Sequence, residues 1–261
     1  MERMHEVIDT VVEAGKIMLE CGSEIYRSEE TMIRMANSYG IKDIDIFTLA
    51  TCIYVTCVIE GETYTRIKRT YPKSTDLTKI SRINQLSREM GQEPISIDEF
   101  KMRLSEIDQY KRPKRIVVAS TMALTSAVFA YMLQSCAMND FWCTAIVGFI
   151  AYYIYDLLNH HRMHSMLKNL LVTMAIAIMA IAFVETGIGT KIDDIIIGGI
   201  MLLVPGVATT NAVRDTLMGD ILSGMIRVLE ALTAAIGIAM GAGLVLYFYH
   251  LVEALLWLYN F

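Results

Sequence analysis

The sequence predicts an α+β domain followed by an all-α polytopic membrane domain of about five transmembrane helices. Three observations predict it. The 261 residues are 54% hydrophobic, with a mean hydropathy of +0.42, yet 20% are charged. The charge is uneven: residues 1–115 hold 18 of the 23 Lys and Arg and 19 of the 28 Asp and Glu. The rest is organised as five apolar runs, each long enough to cross a bilayer. The reading places a cytoplasmic domain at residues 1–113 and a membrane domain at 114–261.

In the first domain Met4, Val7, Ile8, Val11, Gly15, Met18 and Leu19 recur at helical spacing. Met1 to Cys21 therefore reads as a charged amphipathic helix and not as a signal peptide, whose apolar core it lacks. Gly22 breaks this helix and Ser23 is placed to cap the next. There Ile25, Met32, Met35, Ala36 and Tyr39 form one stripe, while Arg27, Glu30 and Arg34 form a charged row spaced for pairing. Gly40 ends that helix. Asp43 to Phe47 alternates with period two, and Cys52 to Ile59 is β-branched and aromatic. Gly61-Glu62 suits a tight hairpin turn, with Thr63 to Thr70 returning and Tyr64, Arg66 and Lys68 on one face. Asp76 to Met90 reads as a helix with Leu77, Ile80, Ile83 and Leu86 inside. Ser96 starts another, with Asp98 and Glu99 in its first turn.

The apolar runs cover about Ile116–Ala137, Phe141–Leu158, Met166–Val184, Ile195–Val213 and Ile221–Tyr249. The last is longest and suits a tilted helix. The basic residues flanking the runs fall unequally on the two sides. Lys111, Arg112, Lys114, Arg115, Arg162, Lys168, Arg214 and Arg227 lie on one, and Lys191 alone on the other. Positive charge collects in the cytoplasm, so the N-terminal domain is expected inside and the C-terminus outside. Phe141, Trp142, Trp257 and Tyr259 suit the outer interface; Tyr152, Tyr153 and Tyr155 suit the inner.

The fourth run contains the most informative local chemistry. Pro205 has no backbone N–H and its ring clashes with the preceding turn. Gly206 removes the side chain at the same point. A carbonyl freed inside hydrocarbon needs a new partner, and interrupted helices of this kind hold solutes in transporters. Thr209, Thr210, Asn211, Arg214 and Asp215 follow the break, and Asn211, Arg214, Asp215 and Met218 share a helical face. With Asp156 in the second run and Glu230 in the fifth, these are the candidate substrate-binding or translocation residues, because polar groups near a bilayer core are costly. Arg214 with Asp215, and Arg227 with Glu230, are spaced to pair. Gly237, Gly241 and Gly243 form a small-residue stripe for close helix packing.

Other classes of function find little support. Cys21, Cys52, Cys57, Cys136 and Cys143 lack metal-ligand spacing and read as apolar thiols. His160, His161 and His164 lack a carboxylate at ligand spacing, so no metal is expected. His5 is the only histidine of the first domain, which leaves no nucleophile–base pair, and no cofactor or enzymatic activity is expected. There is no basic stripe for nucleic acid, and no Gly-x4-Gly-Lys-Ser/Thr motif for ATP, so ion- or proton-coupled or downhill movement is favoured.

Leu202-Leu203-Val204-Pro205-Gly206, Asn211-Ala212-Val213, Asp215 and Gly219 together resemble the signature of the threonine/serine exporter family, the ThrE and YjjP group. Gly22 to Met32, Thr65 to Arg69 and Leu77 to Asn84 resemble its N-terminal blocks in the same order. The resemblance implies a subunit of a secondary exporter in the bacterial cytoplasmic membrane. It implies small hydrophilic solutes: threonine and serine in some members, succinate-type dicarboxylates in others. Full-length members carry a second membrane half, so a separate small membrane subunit of the YjjB type is implied as partner. A homo-oligomer transporting alone is the competing arrangement, and a membrane-anchored ligand sensor or scaffold the alternative function.

Overall fold

The computed structural model describes residues 2–71, 75–110, 113–134, 137–160 and 163–259. The chain divides into two compact units, Met1–Lys111 with Gly206–Leu229, and Arg112–Pro205 with Glu230–Phe261.

The first unit begins with α1 (Glu2–Glu20) and α2 (Ile25–Ser38). A meander of β1 (Ile44–Leu49), β2 (Cys52–Ile59) and β3 (Glu62–Arg69) follows, then α3 (Leu77–Gln92) and α4 (Ile97–Asp108). The sheet is antiparallel, with Ile46 opposite Val55 and Val55 opposite Arg66. Strand β2 shows why it sits centrally: Ile53, Val55, Cys57 and Ile59 are buried while Tyr54 and Val58 are exposed, the period-two pattern of a half-covered sheet. Ile8, Val11 and Met18 of α1, Ile25, Met32 and Met35 of α2, Ile83 and Met90 of α3 and Phe100 of α4 complete its core. The face carrying Tyr64, Arg66 and Lys68 lies against α1. Arg66 pairs with Asp9 at 2.8 Å, Lys68 with Glu13 at 3.0 Å, and Tyr64 stacks on His5.

Two local expectations shift. The hairpin turn is Glu60-Gly61, because Ile59 pairs with Glu62. Both turn residues have positive φ, 53° and 87°, as in the type I′ turns whose twist matches that of the strands. At the start of α2 the N-cap position is Glu24 and not Ser23, and Glu24 offers no side-chain cap. Ser96 and Asp76 do cap their helices, accepting from Glu99 and Lys79.

The second unit contains α5 (Arg115–Gln134), α6 (Met138–His160), α7 (Ser165–Glu185) and α8 (Ile192–Ile200). Val147 and Ala151 of α6, Val172, Ile176 and Ala180 of α7 and Ile195 of α8 form its core. Among the described residues, four helices are long and apolar enough to cross a membrane: Arg115–Met132, Met138–His160, Ser165–Glu185 and Ile221–Leu258. The fourth expected span, Ile195–Val213, does not form one helix. Helix α8 ends at Ile200, Met201–Pro205 is non-helical, and α9 (Gly206–Leu217) begins anew. The physical reason is Pro205, which cannot continue the ladder begun in α8. The last helix, α10 (Ile221–Tyr259), has 39 residues. At 1.5 Å per residue it is roughly 58 Å long, well beyond the ~30 Å of a hydrocarbon core.

A Cβ on Gly237 would fall on the carbonyl oxygen of Met166, and one on Gly241 would meet the Leu170 carbonyl, so these two let α10 and α7 approach closely. Gly243 faces open space. Cys136 and His161 lie outside the described residues. His160 ends α6, and His164 caps α7, its Nδ1 accepting from the Met166 N–H at 3.4 Å.

Candidate functional site

The polar residues after the break converge within the first unit, on the turn between α1 and α2. Asn211 donates from Nδ2 to the Gly22 carbonyl at 2.9 Å. Four residues on, Asp215 accepts at Oδ1 from the Ile25 N–H at 3.2 Å, supplying from across the sequence the cap that α2 lacks locally. Asp215 is fully buried, and its Oδ2 lies 3.0 Å from Nε of Arg227, an ion pair without the alignment of a hydrogen bond. Arg227 is also buried and donates from Nη2 to the Ser23 carbonyl at 2.7 Å. Glu24 joins two arginines: Arg214 Nη1 donates to its Oε1 at 2.5 Å, and Arg27 Nε lies 3.0 Å from its Oε2. The α9–α10 turn is tight enough for Gly224 to lie against Thr216 and the Ala212 carbonyl.

The expected pairings are thus exchanged. Arg214 reaches Glu24 and not Asp215, and the partner of Arg227 is Asp215 and not Glu230, whose side chain is exposed. Helix geometry explains the first exchange: adjacent residues lie about 100° apart around the axis, so Arg214 and Asp215 do not face one another. Thr210 returns its hydroxyl to the carbonyls of Gly206 and Val207. Thr209 is exposed, Pro205 half-buried and Gly206 exposed. Asp156 belongs to the second unit, where its Oδ2 lies 3.3 Å from Nε of Arg115. Asn211, Arg214 and Asp215 are therefore brought together; Asp156 and Glu230 are not among them.

Glu29 lies one turn along α2 from the cluster. It accepts from the Thr48 N–H at 2.8 Å. Burial pushes its carboxyl above the usual carboxylate range, against that hydrogen bond and with help from the charge of Asp220. Sequence reasoning gave no role to Gly22, Ser23 and Glu24 in this cluster. The available signal was a glycine-broken turn carrying a carboxylate, in a chain with few partners for Arg214 and Arg227. It also passed over Asp140 and Asp194 of the second unit, since each stands at the edge of an apolar run.

Four helices suited to crossing a bilayer, together with an apolar run interrupted before Pro205, define a polytopic membrane protein. The model of the ThrE threonine/serine exporter family matches residues 9–249, and the chain belongs to that family. It is 24% identical over 245 residues to a Klebsiella aerogenes protein named "Probable succinate transporter subunit YjjP", covering 88% of this chain and 90% of that one. The Escherichia coli (strain K12) protein of the same name is 22% identical over 249 residues, covering 92% and 94%. A Mycobacterium tuberculosis protein named "Probable threonine/serine exporter" is 20% identical over 242 residues, which are 90% of this chain and 45% of that longer one. No solved structure matches the chain.

Proposed function

We propose that this chain is one subunit of a secondary exporter that moves small hydrophilic metabolites, of the threonine/serine or the succinate type, out across the cytoplasmic membrane. The observation that carries the reading is a family match running unbroken through the interrupted α8–α9 segment. In this reading α8 and α9 together stand for one broken span, which brings the number of crossings to five. Residues 1–113 are cytoplasmic, 114–261 form the membrane domain, and the C-terminus lies outside; the eight-to-one split of basic residues supports that orientation.

The proposed path passes the break at Pro205 and Gly206. Thr209 and Thr210 stand beside it, and Asp156 and Glu230 are further polar groups assigned to it. Asn211, Arg214 and Asp215 hold α9 to the α1–α2 turn, so their effect on transport is one of positioning. Two of the relatives are named as subunits. Five crossings also leave the two ends of the chain on opposite sides, so that a second half would run with inverted orientation. Both point to a partner of the YjjB type.

The test is reconstitution. Vesicles holding this chain alone, and vesicles holding it with a YjjB-type subunit, are loaded with labelled threonine or labelled succinate. Flux only with both subunits supports the split exporter, and flux from the chain alone replaces it with a homo-oligomer. No flux of either solute in either preparation overturns the exporter reading. One observation favours the sensor alternative: a cavity of about 420 Å³ in the first unit, lined by Asp9, Glu13, Arg66, Lys68, Lys101 and Asp108. Threonine or succinate binding to a chain that carries no flux would support it.

A further inference from the structure

Two carboxylates outside the α9 cluster lie together at one end of the second unit. Asp140, in the first turn of α6, is fully buried. Its Oδ1 accepts from the Thr190 N–H at 2.6 Å, and its Oδ2 accepts the Thr190 hydroxyl. Asp194, in the first turn of α8, is 2% exposed, and its Oδ2 has no hydrogen-bond partner among the described residues. The two lie close enough to act on each other electrostatically. Asp194 also lines a cavity of about 470 Å³ with Thr190, Lys191, Asp193, Leu246 and His250.

The two acids are built differently. Both oxygens of Asp140 receive donors from Thr190. Asp194 is buried near Asp140, and one of its own oxygens receives nothing. Burial disfavours an ionised carboxylate in such a place, and two neighbouring buried carboxylates resist being ionised together, so proton uptake by one of them is favoured. A helix-dipole role does not account for it, because exposed Asp193 serves the same first turn. Among the described residues, the other charged and titratable groups around the site give Asp194 no buried counter-charge. Lys191, which precedes α8 and lines the cavity, is exposed, and its charge acts on Asp194 in the opposite sense to those of Asp140 and Asp193. Glu185 at the end of α7 accepts from the Tyr249 hydroxyl, and His250 and Glu253 of α10 pair with each other at 3.2 Å. On α6, Cys143 is buried one turn from Asp140. The charged residue of α5, Arg115, is at its other end and pairs with Asp156.

We propose that Asp194 is a proton-exchange site of the membrane unit, taking up one proton through the cavity beside the Asp140 carboxylate that Thr190 holds in place. Uptake forms an O–H bond on Asp194 and breaks one on a hydronium ion in the cavity, leaving water; release breaks the Asp194 O–H bond and returns the proton to water as hydronium. The site's use in coupling rests on the exporter reading; the protonation itself does not.

Infrared spectroscopy of the full chain in lipid vesicles tests the chemistry without transport. Measured in the Glu29→Gln background, which removes the Glu29 contribution, a protonated-carboxyl component should fade as pH rises, be lost in Asp194→Asn and persist in Asp193→Asn. A titrating band unchanged in Asp194→Asn overturns the assignment, and a band abolished by sodium but not by choline at fixed pH overturns it in favour of a metal cation. Should Asp194→Asn fail to fold, Thr190→Val decides. Losing a donor to Asp140 should move the titration to higher pH, and an unmoved midpoint refutes the coupling of the two acids. In vesicles with the partner subunit and an imposed pH gradient, Asp194→Asn should let labelled threonine or succinate equilibrate but lose gradient-driven accumulation; accumulation equal to the wild type overturns the coupling role. Absence of flux in the wild type overturns the exporter reading instead, and the infrared band still decides the site.

Discussion

Replacing Asp215 with Ala should destabilise the first unit more than any other single change in the α9 cluster. Two losses follow from the geometry. Arg227, buried with it, loses the carboxylate it pairs with. The Ile25 N–H loses its acceptor at the start of α2. Breaking a buried ion pair from one side costs about 3–5 kcal/mol, and losing a helix cap about 1 kcal/mol, so the expected loss is about 4–6 kcal/mol. Arg227→Met alone leaves the opposite charge stranded and should cost about 3–5 kcal/mol. The double variant strands neither, and its loss should fall short of the sum of the two by about 2–3 kcal/mol. Thermal unfolding of the purified full chain in detergent measures the cycle. Amide hydrogen exchange at Ile25, Tyr26 and Arg27 reports the cap separately. Losses that add to within about 0.5 kcal/mol would show that the two side chains act independently and would refute the buried-pair argument.

Arg214→Ala should lower stability less than Asp215→Ala in the same assay, because the arginine is half exposed and water replaces its contact with Glu24. Gly237→Ala should loosen α10 from α7, at a cost of about 1–3 kcal/mol in detergent melts, because the added carbon meets backbone that cannot rotate away. Gly243→Ala, on the same helix with nothing near it, should be neutral or stabilising; equal losses would refute the packing account. Glu29 gives a pH signature. Its carboxyl is raised in the folded chain, so the folded state holds a proton that the unfolded state has released. The wild type should therefore gain stability relative to Glu29→Gln as pH falls from neutral toward the ordinary Glu value. A stability difference that is flat across this window would remove Glu29 as the titrating group.

Much of the fold was legible because its signals are local. The β2 alternation, the Ser96 and Asp76 caps and the apolar lengths of α5, α6, α7 and α10 each follow from a few neighbouring residues. The break before Pro205 was legible for the same reason. What escaped the sequence depends on distance along the chain. Ser23 satisfies every local rule for a cap, yet Asp215, 190 positions from Ile25, does that work. Nothing at Ser23 announces it, because the acceptor is placed by how α9 folds onto the α1–α2 turn. The Arg227–Glu230 spacing is likewise a sound helical pair. It yields because burial with Asp215 and the Ser23 carbonyl gives the guanidinium two partners in place of one exposed carboxylate. Asp140 and Asp194 were passed over because an acid at the edge of an apolar run reads as an interfacial residue until Thr190 is seen to enclose one of them.

The α1–α2 turn also explains how an apolar stretch of chain tolerates so many polar residues after its break. A turn between two helices leaves carbonyls at the end of the first and N–H groups at the start of the second without helical partners. Here the Gly22 and Ser23 carbonyls and the Ile25 N–H are met by Asn211, Arg227 and Asp215 in turn. Each side chain that would be costly near a bilayer is spent on a backbone group that would be costly if left alone, and the two penalties cancel pairwise. The consequence for function is a division of labour along α9. Asn211 and Asp215 are committed to the turn and have little left to offer a solute. Arg214, half exposed, is held by one carboxylate oxygen of Glu24. Asn211 and Asp215 engage two parts of one turn from α9 while Arg227 engages a third from α10, so displacing α9 would uncover the Gly22 carbonyl and the Ile25 N–H together. Under the exporter reading, any step that moves α9 therefore carries the α1–α2 turn with it, which gives the N-terminal unit a mechanical part in transport and not merely an anchoring one.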